Sequence, residues 1–420
     1  MGHLIVPNTP PGPESFGRPP LRIFRSDTPH DIACAAIVAG TLPPGRDMLA
    51  FSTDKTGGAP GRFAERMRTM ARVHPWEKVV DISGLPLAPH FVSGTPPDST
   101  GERLRDIARS VGMLRRMLAP LCGQDFAESG EGSRTPLRAD ELYLTCYHHP
   151  DVQAMYGLFP AARKIYIPHG FDSLHQAEIH YYRTPLGIDG GPRRPLRDAF
   201  ADFVKGRLFG RDSVLPRRMT VDAAYSFNLA LPGAGAQYDL SPRLNAETMR
   251  DLFGRLPDDV RSYYEGLAGQ VRERTALLLL APYDSDRAAQ DELQTQALVR
   301  LAGKMTAREG SASVLIKPHP VNSDAQVESV RAGLAQAFPE LRLLVIGEHR
   351  EYPIEVMLAP FSIRACGAFG SSSMRTLKKV YGTQSYCPES DLRELYSKPP
   401  YDPKMIETWI ADNRGDYIAV

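Results

Sequence analysis

The sequence lacks the patterns that identify several large classes of protein. Its five cysteines are an odd number and contain no Cys-x-x-Cys pair, which argues against a structural zinc site or a disulfide framework and fits a reducing cytoplasm. No apolar run approaches the roughly 20 residues that a helix needs to cross a bilayer. The 50 lysines and arginines almost balance the 49 acids, so the formal charge of +1 provides no overall field that would attract nucleic acid.

The beginning of the chain and its length set further limits. The first 20 residues, MGHLIVPNTPPGPESFGRPP, lack a charged segment followed by an apolar one, so we expect no signal peptide and a cytoplasmic protein. A chain of 420 residues, 42% of them hydrophobic, is long enough for two domains with full cores. We predict a flexible arm at 1–19, an N-terminal domain at 20–235 and a C-terminal domain at 236–420.

Apolar runs alternate with helical patterns along both halves, which predicts an α/β fold with mostly parallel sheets. In the first half we expect strands at 21–26, 47–52, 77–83, 141–147 and 164–170, and helices at 31–42, 60–72 and 99–119. The stretch LPGAGAQYDLSPRLN is expected to connect the domains. In the second half we expect strands at 275–282, 313–317, 341–347 and 361–369, and helices at 245–269, 288–308, 324–337, 352–360, 373–382 and 405–413. Each half is therefore predicted to be Rossmann-like.

The strand SVLIK ends abruptly in Lys317, Pro318, His319 and Pro320. Proline fixes its own φ and restricts the residue before it, so His319 is expected to be held stiffly at the carboxyl end of a strand, where open α/β sheets bind ligands. An imidazolium there would offset the charge of a departing phosphate. Lys317 either assists in this or points elsewhere, because side chains alternate along a strand.

A second strand end is followed by hydroxyls. The segment CGAFGSSSMRTLKK passes through Gly370 and then Ser371, Ser372 and Ser373 before a helical pattern begins. Hydroxyls and free N–H groups at a helix start form an anion site, which predicts contact with a phosphate. The alternative is an ordinary helix cap, for which one serine is sufficient.

A third polar strand end, IPHGFDS, carries the candidate general base. His169 has an unperturbed pKa of about 6.5 that suits proton removal near neutrality, and Asp172 is a rival for this role. The alternative is a turn that His169 merely caps. His148 and His149 could line the same edge. The histidine spacing fits no closed zinc pattern, so we predict no metal.

Two further features have a functional and a plain interpretation. Glu355, in YPIEVM, could hydrogen-bond ribose hydroxyls, or it could be a surface residue of a helix. The segment 193–218 lies in a region rich in cations and poor in acids, with apolar residues interleaved. It could contact an anionic membrane surface or an acidic acceptor, or it could be a solvated surface segment.

These motifs together resemble the bacterial sialyltransferase and polysialyltransferase families. The resemblance covers mainly residues 275–382, through LLLLAPYDSD, LIKPHP, IGEHREYPIEVML and GSSSM. It implies a GT-B fold, in which two Rossmann-like domains face each other across a cleft. It also implies transfer of sialic acid from CMP-sialic acid to a glycan with inversion, without metal or other cofactor, in the cytoplasm or at the inner face of the membrane, as in capsule polysaccharide synthesis.

The resemblance also assigns roles to residues. It implies that His319 contacts the donor phosphate together with the serine pair Ser371 and Ser372, with Ser373 as a further candidate. It also implies that Pro353 to Glu355 corresponds to an element near the nucleotide. The N-terminal half matches less well, because the families place their base in an acidic motif that ends in glycine. Here the corresponding stretch is YIPHGFDS, in which His169 precedes Gly170, so either His169 or Asp172 is the expected base.

Three other functions fit parts of the pattern. Teichoic-acid polymerases also carry HG and PHP elements with a late serine pair, so a CDP-glycerol-type transferase is the first alternative. A nucleotide-sugar epimerase or hydrolase on the same scaffold is the second. A binding module that keeps the phosphate site but lacks a base is the third.

Overall fold

The chain forms two α/β units, each organised around its own parallel sheet, within the part of the chain that the structure describes. The computed structural model describes residues 18–53, 60–86, 100–123, 137–145, 149–169, 221–227, 236–271, 274–281, 288–396 and 403–420. The described residues up to 169 and those at 221–241 belong to the first unit, and those from Pro242 onward belong to the second. The predicted fold class, α/β with two Rossmann-like and mostly parallel sheets, is confirmed.

The first unit contains a sheet of seven strands among the described residues, in the order β3-β2-β1-β4-β5-β6-β7. Every neighbouring pair in it is parallel. The strands are β1 Leu21–Ser26, β2 Arg46–Phe51, β3 Lys78–Asp81, β4 Glu141–Leu144, β5 Arg163–Tyr166, β6 Ala223–Ser226 and β7 Ala236–Asp239. The helices are α1 Pro29–Ala39, α2 Pro60–Ala71, α3 Thr100–Leu118 and α4 Pro150–Leu158.

The second unit contains a sheet of six strands, again among the described residues, in the order β10-β9-β8-β11-β12-β13. All of its pairs are parallel as well. The strands are β8 Thr275–Leu279, β9 Ser313–Lys317, β10 Arg342–Val345, β11 Ile363–Gly367, β12 Gln384–Cys387 and β13 Ile418–Ala419. The helices are α5 Ala246–Gly254, α6 Asp258–Ala268, α7 Ala288–Glu309, α8 Asp324–Ala337, α9 Ile354–Met357, α10 Ser373–Tyr381, α11 Glu389–Tyr396 and α12 Pro403–Asn413.

In both sheets the strand order reverses beside the first strand of the unit. The reversal lies between β1 and β4 in the first sheet and between β8 and β11 in the second. Open α/β sheets bind ligands outside the carboxyl ends of their strands at such a reversal, because the loops on the two sides diverge and leave a crevice. The fold therefore directs attention to the residues that follow β1 and β4, and to those around the ends of β8, β9 and β11.

Three of the inner strands are buried along their whole length. Each residue of β1, β8 and β9 is buried, as expected for parallel strands with helices on both faces. In the first unit the rings of Phe24 and Tyr143 stack with their centroids 4.2 Å apart. This packing gives the strand ends a rigid base from which the polar side chains project.

Two of the differences between the structure and the sequence-based expectation have a clear physical cause. The helix expected at 245–269 is divided into α5 and α6, because Pro257 has no N–H to continue a helix and instead stands at the N-cap of α6. The expected connection between the domains contains β7, which pairs with β6 in the first sheet, so the first unit extends to Ser241 rather than to residue 235.

Two segments with a predicted role lie mostly or wholly outside the described residues. These are the flexible arm, apart from the residues after 17, and the whole cationic segment 193–218. Among the helices that the structure describes, none is both long enough and apolar enough to cross a bilayer.

Candidate functional site

The turn that follows β1 in the first unit is fixed by a reciprocal helix cap. The Thr28 hydroxyl accepts a hydrogen bond from the Asp31 N–H at 3.2 Å. In return, Oδ2 of Asp31 accepts hydrogen bonds from the N–H groups of Asp27 and Thr28, both at 3.0 Å. Pro29 occupies the first turn of α1, where its missing N–H costs nothing. The Asp31 carboxylate is therefore held in one orientation at the β1–α1 turn.

The second oxygen of this carboxylate contacts His169. Oδ1 of Asp31 lies 2.7 Å from Nδ1 of His169, which follows β5. Asp31 is fully buried, whereas 31% of the His169 side chain is exposed. Burial by itself raises the pKa of Asp31. The charge of His169 and its hydrogen bond to Asp31 lower this pKa by more than burial raises it, so the pKa lies below its usual range. Asp31 is thus an anion near neutral pH.

A buried guanidinium supports the same turn. Arg25, on β1, is 1% exposed and pairs with the carboxylates of Asp27 and Asp151. Its Nε donates a hydrogen bond to Oδ2 of Asp151 at 2.9 Å. His149 joins the group, because its Nδ1 lies 3.1 Å from Oδ2 of Asp27. These contacts connect the end of β1 to the start of α4 across the reversal point of the first sheet.

Several expected residues of this edge are not described. His148, Gly170 and Asp172 lie outside the described residues. Of the two candidate bases, His169 and Asp172, the structure therefore describes only His169. Within the described residues, no group of three His, Cys, Asp or Glu side chains is arranged to hold a metal ion.

In the second unit, the turn after β9 is built around Asn322. This residue is 1% exposed, and its side-chain oxygen accepts a hydrogen bond from the His319 N–H at 2.7 Å. Its amide group donates to the carbonyl of Ala281, after β8, at 3.0 Å. The N–H of Val321 contacts Nδ1 of His319 at 3.4 Å. When Nδ1 accepts a hydrogen bond, a neutral imidazole carries its proton on Nε2, so the half-buried His319 ring presents a donor.

Lys317 lies at the end of β9 with its ammonium directed to the backbone. Nζ donates hydrogen bonds to the carbonyls of Pro318 at 2.8 Å and Arg350 at 2.6 Å. Burial lowers the pKa of Lys317 to about 8, against the opposing influence of the carboxylates of Glu355 and Glu351. Lys317 thus ties the KPHP turn to the loop that precedes α9.

The serine segment forms the start of α10. The chain enters it through Gly370, whose φ of +64° is in the left-handed region. The Ser371 hydroxyl accepts a hydrogen bond from the Ser373 N–H at 3.3 Å, so one serine acts as the cap. Ser372 is exposed, and its hydroxyl makes no capping hydrogen bond. The plain interpretation as a helix cap therefore accounts for Ser371 and leaves the hydroxyl of Ser372 unexplained.

His319 and the serine segment lie at the same edge of one sheet. β8 separates β9 from β11, and neighbouring strands in a sheet lie about 4.8 Å apart, so the two strand ends are about 10 Å apart. Residue 317 pairs with Leu279, and Gly367 pairs with Leu278, so both strands end at the same level. The turns that carry His319 and the serine segment therefore begin at the same edge of this sheet.

Glu355 lies beneath this edge. It is 2% exposed in α9, so its interpretation as a surface helix residue is wrong. The Tyr381 hydroxyl, at the end of α10, donates a hydrogen bond to the backbone carbonyl of Glu355 at 2.6 Å. Contact of Glu355 with a ribose stays a prediction.

Sequence reasoning overlooked Arg25, Asp27 and the partnership of Asp31 with His169. Asp31 was expected only near a helix start. A signal was present, because RSDTPHD places three charged side chains directly at the end of a buried strand. The partners come from distant parts of the chain, and only the sheet order brings them together.

One family model matches part of the second unit. The model for alpha-2,8-polysialyltransferase (POLYST) matches residues 250–387, about a third of the chain. This range includes 275–382, on which the resemblance rests, and it contains His319 and the serine segment. The match supports a sialyltransferase-like family and confirms the predicted enzyme class, a glycosyltransferase.

Solved structures with a similar arrangement of elements are distant in sequence. An alpha,alpha-trehalose-phosphate synthase (UDP-forming) from Burkholderia vietnamiensis is 13% identical, with 93% of this chain and 91% of that chain covered and a TM-score of 0.35. The N-terminal domain of a Candida albicans trehalose-6-phosphate phosphatase is 12% identical, with 97% and 91% covered and a TM-score of 0.41. A glycosyltransferase from Rickettsia africae is 8% identical, with 89% and 79% covered and a TM-score of 0.36.

Values this low identify neither the activity nor the substrate of this chain. A comparison with curated proteins gave no significant match.

Proposed function

We propose that this protein is an inverting, metal-independent glycosyltransferase that moves sialic acid, or a related nonulosonate, from a CMP-activated donor to a glycan hydroxyl. The observation that carries the proposal is the coincidence of two findings in the second unit. The family match covers the stretch in which His319 and the serine segment each follow a strand at one edge of the same sheet, beside the strand reversal. The family description names polysialic acid, so an α-2,8-linked sialic acid oligomer is the first acceptor to test.

The second unit holds the donor phosphate in this mechanism. The Ser372 hydroxyl donates to a phosphate oxygen, with the positive end of the α10 helix dipole behind it. His319 donates from Nε2 to the phosphate oxygen that becomes charged when the bond breaks. Lys317 positions the turn through its two carbonyl partners.

The first unit supplies the base. His169 takes the proton from the acceptor hydroxyl while the acceptor oxygen forms a bond to the anomeric carbon of the donor sugar. The bond from that carbon to the CMP phosphate breaks at the same time, and its electron pair remains on the phosphate. One displacement of this kind inverts the anomeric configuration. The products are the extended glycan and CMP, and the proton stays on the imidazole until it is released to solvent.

Thermal unfolding with cytidine nucleotides tests donor recognition. A ligand present at 100 times its Kd stabilises the native state by about 2.7 kcal/mol. For a unit of this size, that corresponds to a rise of roughly 5–10 °C in Tm. We expect CMP to raise the Tm of the wild type, and we expect His319→Ala and Ser372→Ala to reduce the rise strongly.

Ser329→Ala is the matched control for the serine variant. Ser329 is an exposed serine of α8 whose hydroxyl donates to the Ala325 carbonyl at 3.0 Å, away from the sheet edge. The control should keep the full shift with CMP. If CMP leaves the Tm of the wild type unchanged while CDP-glycerol raises it, the donor is of the CDP-glycerol type. If no cytidine nucleotide has an effect, the proposed function is wrong.

A further inference from the structure

We infer that Asp31 is the positioning residue of the base, holding His169 with its proton on Nδ1 so that Nε2 faces the acceptor as the basic nitrogen. The inference rests on the proposed function for the reaction that the base serves. The geometry itself lies entirely within the first unit. Asp31 was not among the residues expected to form the site, and the family match at 250–387 does not include it.

The short contact between the two side chains selects the tautomer. A carboxylate only accepts hydrogen bonds, so an imidazole nitrogen 2.7 Å from Oδ1 of Asp31 must carry a hydrogen. That nitrogen is Nδ1, which leaves the lone pair of a neutral ring on Nε2. A base needs its lone pair on the nitrogen that meets the substrate, so the contact prepares the imidazole for proton removal.

The carboxylate is itself prevented from turning away. Oδ2 of Asp31 is held by the N–H groups of Asp27 and Thr28, and Oδ1 is thereby directed at His169. Rotating the carboxylate would leave two buried N–H groups without an acceptor, which is unfavourable. Capping α1 requires only one carboxylate oxygen, Oδ2. The other oxygen of Asp31, Oδ1, contacts the imidazole ring of His169.

In the pair, the carboxylate of Asp31 is buried while part of the His169 ring is exposed, as a base that must meet its substrate requires. Asp31 is fully buried, and Nδ1 of His169 is buried against it. The exposed 31% of the His169 side chain therefore belongs to its other atoms. The neighbouring pair, His149 and Asp27, is different, because both residues are nearly or fully buried around Arg25. Of His149 and His169, both among the described residues, His169 is thus the one with a ring partly exposed to an acceptor hydroxyl.

The substitution Asp31→Asn reverses the tautomer with little change in shape. The amide oxygen of asparagine can keep the two backbone hydrogen bonds, which directs its NH₂ group at Nδ1 of His169. Nδ1 must then accept, and the proton moves to Nε2, where it blocks the base. We expect kcat for transfer to fall by about 10²–10⁴-fold, the range usual for loss of general base catalysis, with the KM for the donor nearly unchanged.

The control applies the same substitution at the opposite edge of the same sheet. Asp140 accepts a hydrogen bond from the Leu21 N–H at 2.7 Å, at the amino end of β1. Asp140→Asn should keep kcat within about twofold of the wild type. His169→Gln should lose as much activity as Asp31→Asn, and the double variant should lose no more than either one, because the two residues act as a unit.

The tautomer can be observed without any substrate. In nitrogen-15 spectra of the full-length protein with labelled histidine, His169→Gln identifies the signals of residue 169. We expect Nδ1 to carry the proton in the wild type and Nε2 to carry it in Asp31→Asn. A wild-type ring protonated on Nε2 would overturn the inference even if transfer is observed. The expected tautomer in a protein that transfers no CMP-linked sugar would uphold the pairing and reject the proposed function instead.

Discussion

At the scale of single residues, burial distinguishes the charged side chains that position the site from those that lie on the surface. Arg25 and Arg46 both lie in the first sheet and both pair with acids. Arg25 is 1% exposed and its carboxylate partners are buried, so removal of its charge would leave buried carboxylates without their guanidinium partner. The pair of Arg46 and Glu77 is exposed and contributes little. Side chains such as Arg25 therefore fix the position of the β1–α1 turn.

Lys317 provides a prediction about pH. Burial lowers the pKa of Lys317 to about 8 from its usual value of 10.5, so between these two pH values the unfolded chain binds more protons than the native state. Stability must then rise with pH across this interval, by about 1.4 kcal/mol per unit of pKa difference, or roughly 3 kcal/mol in total. Below pH 8 both states are protonated and this contribution is constant.

The comparison with Lys317→Met isolates that contribution. Urea unfolding of both proteins should show the wild type gaining stability relative to the variant between pH 8 and 10.5, and a constant difference between pH 6 and 7. A difference that stays constant up to pH 10.5 would show that the Lys317 ammonium is not penalised by burial.

The positions of His319 and the serine segment at strand ends could be predicted from the sequence because their signals are local. His319 follows directly on its strand, and the serines stand directly before their helix. The base edge could be predicted only in part. His169 was expected for its place after a strand, but its partner Asp31 comes from another strand end, and no local pattern encodes that pairing.

At the scale of helices and strands, the predictions succeeded where apolar periodicity was strong. β1 at 21–26, β9 at 313–317 and α8 at 324–337 have the bounds that were expected. The strands β6, β7 and β12 were not expected. Their sequences, AAYS, AQYD and QSYC, contain no run of branched apolar residues, and pairing with neighbours in the sheet makes them strands.

The start of α10 provides a prediction about backbone geometry. Gly370 and Gly382 stand before and after this helix with φ values of +64° and +69°. Alanine at either position is strained by about 1–2 kcal/mol. Only at Gly370 does relief of the strain move the serine N–H groups. We therefore expect Gly370→Ala to weaken CMP binding by about tenfold or more, measured by titration calorimetry.

Gly382→Ala is the control for that change. A Cβ at residue 382 would meet no atom within 4 Å, and one at residue 370 would lie at an ordinary 3.6 Å from the Trp409 ring, so the strain arises from φ in both cases. We expect Gly370→Ala and Gly382→Ala to lose similar amounts of stability. We expect only Gly370→Ala to lose affinity for CMP. Equal CMP affinity in the two variants would remove the α10 turn from the donor site.

At the scale of the whole molecule, two Rossmann-like units divide the proposed reaction. The second unit carries the family match with His319 and the serine segment, and the first carries the pair of Asp31 and His169. The sequence predicted this division because strands and helices alternate in both halves. It did not predict the limit of the first unit, since β7 lies in a Gly-rich stretch typical of a linker. Cytoplasmic location and membrane contact through 193–218 stay predictions.

The most direct test is a transfer assay with CMP-sialic acid and an α-2,8-linked sialic acid oligomer, followed by mass spectrometry and by measurement of released CMP. We expect the wild type to lengthen the oligomer by one sialic acid for each CMP released. His169→Ala should bind the donor without transfer, and His319→Ala should do neither. Transfer by His319→Ala at the wild-type rate would contradict the central claim that the two turns hold a departing CMP. Transfer by the wild type from CDP-glycerol alone would instead contradict the claim that the donor is a CMP-activated sialic acid, because CDP-glycerol also releases CMP.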